Sequence, residues 1–241
     1  MWRALSSDGA VTCRAVDIRL WCDAARRFLL PDLPGQWRVE VPYLIYEEIG
    51  WTARILTPAP SDHRPGFYLE AMSQLLAVPR RDLVADNGLR VGHATMGGYW
   101  DAAETVDAYA DTMREIADLI RADVLPHFAR CGTLEGHLTF LRERMDVLAG
   151  RGGEWIDINV DEALAYIHLI RGDLAAAAEA ASFAERAVRN QSTPIPWVQA
   201  AHKRLTTVMA AANRDPVEAL ELLRGNARRT AKALLLPAPQ L

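Results

Sequence analysis

The sequence predicts an α+β protein: an antiparallel sheet covered by a long helix, followed by an all-helical tail of two hairpins. Three observations predict it. Between Trp37 and Val91, apolar and polar residues alternate in short runs joined by connections too short for crossover helices. From Glu104 to Phe128, apolar residues recur instead at steps of three and four, the period of a helix. After Gly150 every pattern is helical, and one pattern occurs twice.

Residues 15–30 carry Leu20, Trp21, Ala24, Phe28 and Leu29 at helical spacing, and Pro31, Pro34 and Gly35 end that helix. Trp37, Val39 and Val41 then alternate with Arg38 and Glu40, as Trp51, Ala53 and Ile55 do with Thr52 and Arg54. Glu47 and Glu48 flank a turn before Gly50; as neighbours on a strand they would point to opposite faces, so they do not make an acid–base pair. Pro58, Pro60, Asp62, Pro65 and Gly66 predict an exposed loop. The run from Gly66 to Val78 reads as a strand, and Leu83 and Val84, Asp86-Asn87-Gly88, then Leu89 and Val91 read as strand, turn and returning strand. The expected sheet has about four strands.

On the long helix, Val106, Tyr109, Met113, Ile116, Ile120 and Val124 form the buried face, with Asp107, Asp111, Arg114, Asp118 and Arg121 opposite. Trp100 and Asp101 are expected to staple and cap its start. Pro126 is expected to kink or stop it, after which Gly132 ends it and Thr133 caps a new helix with Leu134, Leu138, Leu141, Met145 and Leu148 inward.

In the tail, residues 165–181 can be laid on residues 206–223 with Asp173 matching Asp215, an offset of 42. Each half reads as helix, tight turn with an aspartate N-cap, and second helix, and Ala177 and Ala219 fall at the same place after the turn. This resembles tetratricopeptide-type helical hairpins, with His168 where an aromatic residue is common. Two such units are fewer than a free-standing solenoid needs, so they are expected to pack back on the helix that begins at Leu134. The expected organisation is an α+β domain over residues 1–149 and a helical hairpin region over 154–241.

A second resemblance rests on Phe67, Tyr68, Ala71, Gln74, Leu76, Val78 and Pro79, then Gly88, Arg90, Gly92 and Trp100, and the long helix ending Leu125, Pro126, His127, Phe128. Over about residues 37–145 the chain is similar to a group of uncharacterised bacterial proteins classed as a domain of unknown function, with Leu75 and Ala77 departing from the group's pattern. The resemblance implies an α+β domain with a helical tail. It brings no established activity, although proteins of this general build can stand beside toxin or defence genes, which makes an immunity-like role an expectation.

Composition excludes several classes of function. A net charge of −4 gives no general attraction to nucleic acid or anionic membranes. No apolar run approaches a membrane span, and the start of the chain lacks an apolar signal core, so a cytoplasmic protein is expected. Cys13, Cys22 and Cys131 match neither a disulfide framework nor a CxxC site. His127 and His137 flank Cys131 without a second cysteine near, and Gly97-Gly98 lacks the companions of a phosphate-binding loop; no metal and no cofactor is expected. No serine sits in a Gly-x-Ser-x-Gly elbow. Arg224, Arg228, Arg229 and Lys232 make a basic face without interleaved aromatic residues.

One cluster suggests a site. With Gly66–Val78 paired beside Leu89–His93, Glu70, Gln74, Arg90 and His93 fall on neighbouring strands, where they form either a polar ligand cleft together with Trp100 or a solvated face with a cross-strand salt bridge. Two functions follow. In the first, the chain is a non-enzymatic binding protein whose sheet and hairpins hold another protein. In the second, it is a small-molecule enzyme with a polar site between sheet and tail, His93 serving as acid or base beside Glu70, and Arg90 and Gln74 holding the ligand.

Overall fold

The structure, a computed structural model, describes residues 16–61, 66–83, 87–92, 98–149, 158–189 and 194–241. Among the described residues, six antiparallel strands make one sheet: β1 (Trp37–Glu40), β2 (Tyr43–Tyr46), β3 (Thr52–Pro60), β4 (Phe67–Leu75), β5 (Leu89–Val91) and β6 (Tyr99–Trp100). Their order is β1-β2-β3-β4-β5, and β6 follows β5 along the same edge of β4. The fold is α+β, as predicted, with more strands than the pattern gave. The added strands have a physical reason for escaping notice: β2 reads Tyr-Leu-Ile-Tyr with no polar alternation, and β6 is two residues long. Leu83, expected in a strand, lies outside the sheet, and Val84 falls outside the described residues.

Pro58 and Pro60 belong to β3 rather than to an exposed loop. They pair with Leu69 and Phe67 of β4. The register of β2 on β3 ends at Leu56, so the stretch beyond has an open edge on that side. Prolines two apart put both missing N–H groups on that one side, and the ladder to β4 loses nothing.

The first helix, α1 (Ile18–Ala24), starts at Asp17, whose carboxylate accepts from the amides of Arg19 and Leu20, and runs on through a π-turn to Leu29. The long helix starts at Asp107 and comprises α2 (Ala110–Leu119), a π-turn over Ile120–Val124, and α3 (Leu125–Cys131). Thr105 accepts from the Ala108 amide at its start, so Trp100 and Asp101 do not cap it. Nor does Pro126 stop it. The wider π-turn immediately before the proline relieves the clash of its ring with the preceding turn and absorbs the lost hydrogen bond. Thr133 accepts from the Gly136 amide and opens α4 (Leu134–Ala149), as expected.

The tail consists of α5 (Ile158–Ile170), α6 (Leu174–Arg189), α7 (Pro196–Arg214) and α8 (Pro216–Ala233), two hairpins in sequence. Asp173 and Asp215 cap α6 and α8, accepting from Ala176 and Val217 at 3.0 and 2.9 Å.

Both faces of the sheet are covered. On one, Leu44, Leu56, Phe67 and Leu69 meet Met113, Ile116, Ile120 and Val124 of the long helix and Trp21 of α1. On the other, Ile45, Ile55, Met72 and Leu76 meet Ala227 and Ala231 of α8, followed by Leu234 and Leu236. The small side chains of Ala227 and Ala231 let α8 lie close on the strands. The Gln240 amide donates to the Ile49 carbonyl and fastens the last residues along the same face. A third apolar cluster joins Leu138 and Leu141 of α4 to α5, α6 and α7, and reaches Leu75 and Val78 at the end of β4. Gly98 (φ +70°) permits the close approach of β5 and β6: a Cβ there would stand 2.6 Å from the Val91 carbonyl oxygen.

Candidate functional site

The strand register brings Glu70 opposite Arg90. Arg90 donates to the Glu70 carboxylate at 3.1 Å, and its guanidinium lies 4.3 Å from the centre of the Tyr68 ring. The Arg90 side chain is 56% exposed and Glu70 25%, so the pair is a solvated cross-strand ion pair laid over an aromatic ring. The other members of the predicted cluster are elsewhere. Gln74 is four residues along β4 from Glu70, about 13 Å away at strand rise, and buried. Trp100 is buried in the core on the long-helix side, stacked on Phe67 at 5.8 Å. His93 lies outside the described residues.

Gln74 instead lines a different place, a half-enclosed cavity of about 40 Å³ where β4 ends, whose walls combine polar groups with apolar ones such as Leu75, Phe140 and Val160. Ser73 of β4, Asn87, His137 and Arg144 of α4, Arg80, and Asn159 in the first turn of α5 converge on it. Asn87 Nδ2 lies 3.3 Å from His137 Nδ1. His127 borders the same asparagine. Burial lowers its pKa against the opposing pull of a hydrogen bond to the Asn87 backbone, and Arg130 lowers it further. The two histidines singled out around Cys131 therefore meet at Asn87. Among the described residues no three His, Cys, Asp or Glu side chains are placed to hold a metal ion. The Cys22 thiol is fully buried, and that burial pushes its pKa up to about 11. Such a thiol is not a nucleophile.

Local sequence held no sign of this cavity. Its residues come from four separated segments, each with an ordinary local role: Asn87 in a turn, His137 one turn into a helix, Ser73 on a strand. Only folding brings them together.

A second hollow, a groove of about 240 Å³, runs between α4, α5 and α6. Met145, Leu164 and Ala180 give it apolar surface, and Asp146, Asp161 and Glu179 give it carboxylates; among the described residues Arg142 is the fixed cation in its lining, and the Arg186 guanidinium lies 4.2 Å from the centre of the Phe183 ring. Phe183 in its wall is 42% exposed. His168 sits there with Nε2 3.4 Å from Arg142 Nη2 and Nδ1 3.7 Å from Asp173. Burial, then Arg142, lower its pKa despite Asp173. These surroundings favour the neutral imidazole, whose Nε2 can accept from Arg142.

Fold and surface together define an α+β protein whose antiparallel sheet is enclosed by helices on both faces and extended by two helical hairpins. Comparison with protein-family models, with curated proteins and with solved structures finds no match. Among the described residues, no helix is long and apolar enough to cross a membrane.

Proposed function

We propose that this chain is a non-enzymatic binding protein whose partner is another protein, held in the groove between α4, α5 and α6. The observation that supports it is the pairing in one hollow of an exposed aromatic side chain, Phe183, with the excess of carboxylate from Asp146, Asp161 and Glu179. Exposed aromatic anchors supply contact area, and a surrounding charge of one sign selects the partner. The groove suits a segment with an apolar side chain flanked by lysine or arginine. Its setting also fits: the resemblance of these hairpins to tetratricopeptide units implies a surface built for proteins, and an immunity-like role is one form of the same reading.

The test is native mass spectrometry of complexes isolated from the protein's own cells, using the wild type and a Phe183→Asp, Glu179→Arg variant. The expected result is a stoichiometric protein partner on the wild type and its loss from the variant. Retention of that partner by the variant overturns the groove as its site. A retained small molecule with no protein overturns the reading itself.

A further inference from the structure

The cavity at the end of β4 contains more hydrogen-bonding capacity than its walls use. Ser73 and Asn87 are only 2% and 4% exposed. Ser73 Oγ, Arg80 Nε and Asn87 Oδ1 are all buried without a hydrogen-bond partner among the described residues. Leaving one such group unpaired costs about 1–3 kcal/mol, so three around one hollow mark a place where a polar guest belongs. Charge decides what kind. Arg80 and Arg144 line the cavity, and no carboxylate does among the described residues. The first turn of α5 lies alongside, and the start of a helix carries the positive end of its dipole.

We propose that this cavity is a binding site for a small oxyanion, the carboxylate or phosphate group of a small molecule. Ser73 Oγ–H and Arg80 Nε–H are donors with no acceptor among the described residues, and Arg144 adds its charge. Asn87 serves by exchanging its amide oxygen and nitrogen, which leaves the shape unchanged. In that orientation Oδ1 accepts from His137 Nδ1–H, and Nδ2 donates into the cavity. The site involves none of the groove residues between α4, α5 and α6, so it stands or falls independently of a protein partner there.

The experiment is thermal unfolding of the full chain in sodium phosphate and in sodium acetate, each against sodium chloride at equal ionic strength. A ligand that binds only the folded state raises Tm little below its Kd and then steadily with the logarithm of its concentration. Such a curve with phosphate identifies a phosphate-group site, and one with acetate a carboxylate-group site. Arg80→Gln is expected to weaken the apparent affinity about tenfold or more, the scale of a charge-assisted hydrogen bond. Ser73→Ala provides the same comparison if Arg80→Gln does not fold. The proposal is overturned if neither anion exceeds chloride. It is equally overturned if the anion-specific rise persists unchanged in the folded variants, since the anion then binds elsewhere as an adventitious ion only.

Discussion

Glu162 on α5 and Arg204 on α7 form a two-pronged ion pair across the two hairpins, with N–O distances of 2.9 and 2.7 Å. They are 42 residues apart, the same offset that relates the capping aspartates Asp173 and Asp215, so the two occupy equivalent positions in successive units. Glu162 is fully buried, and Tyr166 donates to the same carboxylate at 3.0 Å. Burial, reinforced by that carboxylate, drives the Tyr166 hydroxyl pKa up, so it remains a donor. The pair fixes how one hairpin stacks on the next.

Removing Arg204 leaves the fully buried Glu162 carboxylate without its counter-charge. Arg204→Ala is expected to cost about 3–5 kcal/mol. Replacing both residues, Glu162→Leu with Arg204→Met, is expected to recover most of that loss. Urea unfolding of the wild type, single and double variants checks both outcomes; a loss in the double variant as large as the two single losses added together would show that the residues do not act as a pair.

The caps at the two hairpin turns make a matched prediction. Asp173→Ala and Asp215→Ala are each expected to destabilise by about 1 kcal/mol, the loss of one amide acceptor at a helix start. Thermal unfolding reads this as a fall of about 2–4 °C in each. Asp→Asn at either position is expected to keep most of the stability, because the amide oxygen still accepts.

Stability should depend on pH through His127 and His168, both held below the ordinary histidine pKa by burial. The unfolded chain takes up these protons near pH 6.5, whereas the folded protein resists them until lower pH, so the unfolded state binds more protons in between. Their contribution is therefore present above about pH 6.5 and is lost as the pH falls below it. Urea midpoints at about pH 7.5 and about pH 5.5 are expected to fall on acidification, and His168→Gln to reduce the difference. A midpoint that rises on acidification would show the histidines to be charged in the folded state.

Arg90→Ala is expected to cost less than about 1 kcal/mol, because its ion pair with Glu70 is solvated. The native mass spectrum of this variant is expected to keep whatever partner the wild type holds. Loss of a bound small molecule instead would return attention to the β4–β5 edge as a ligand site.

Sequence alone determined the elements whose patterns are local and long. The buried stripe of the long helix, the N-caps at Thr133, Asp173 and Asp215, and the repetition of the hairpins all follow from spacing, because a helix fixes which residues share a face. Strand pairing was legible in one place, where β4 meets β5 and Glu70 faces Arg90. Tertiary structure decided the rest. Pro126 sits inside a helix because a π-turn precedes it, and Pro58 and Pro60 sit in a strand because the neighbour on one side has ended. Trp100 reads as a staple for the long helix until β6 pairs with β4 and turns it into the core. The packing of α8 on the sheet, the bond between Glu162 and Arg204, and the gathering of Ser73, Arg80, Asn87, His137 and Arg144 around one cavity join segments far apart in the chain. Periodicity records which face of each element is buried and says nothing of which other face it is buried against; that choice is made by the fit of whole surfaces, which no short stretch of sequence contains.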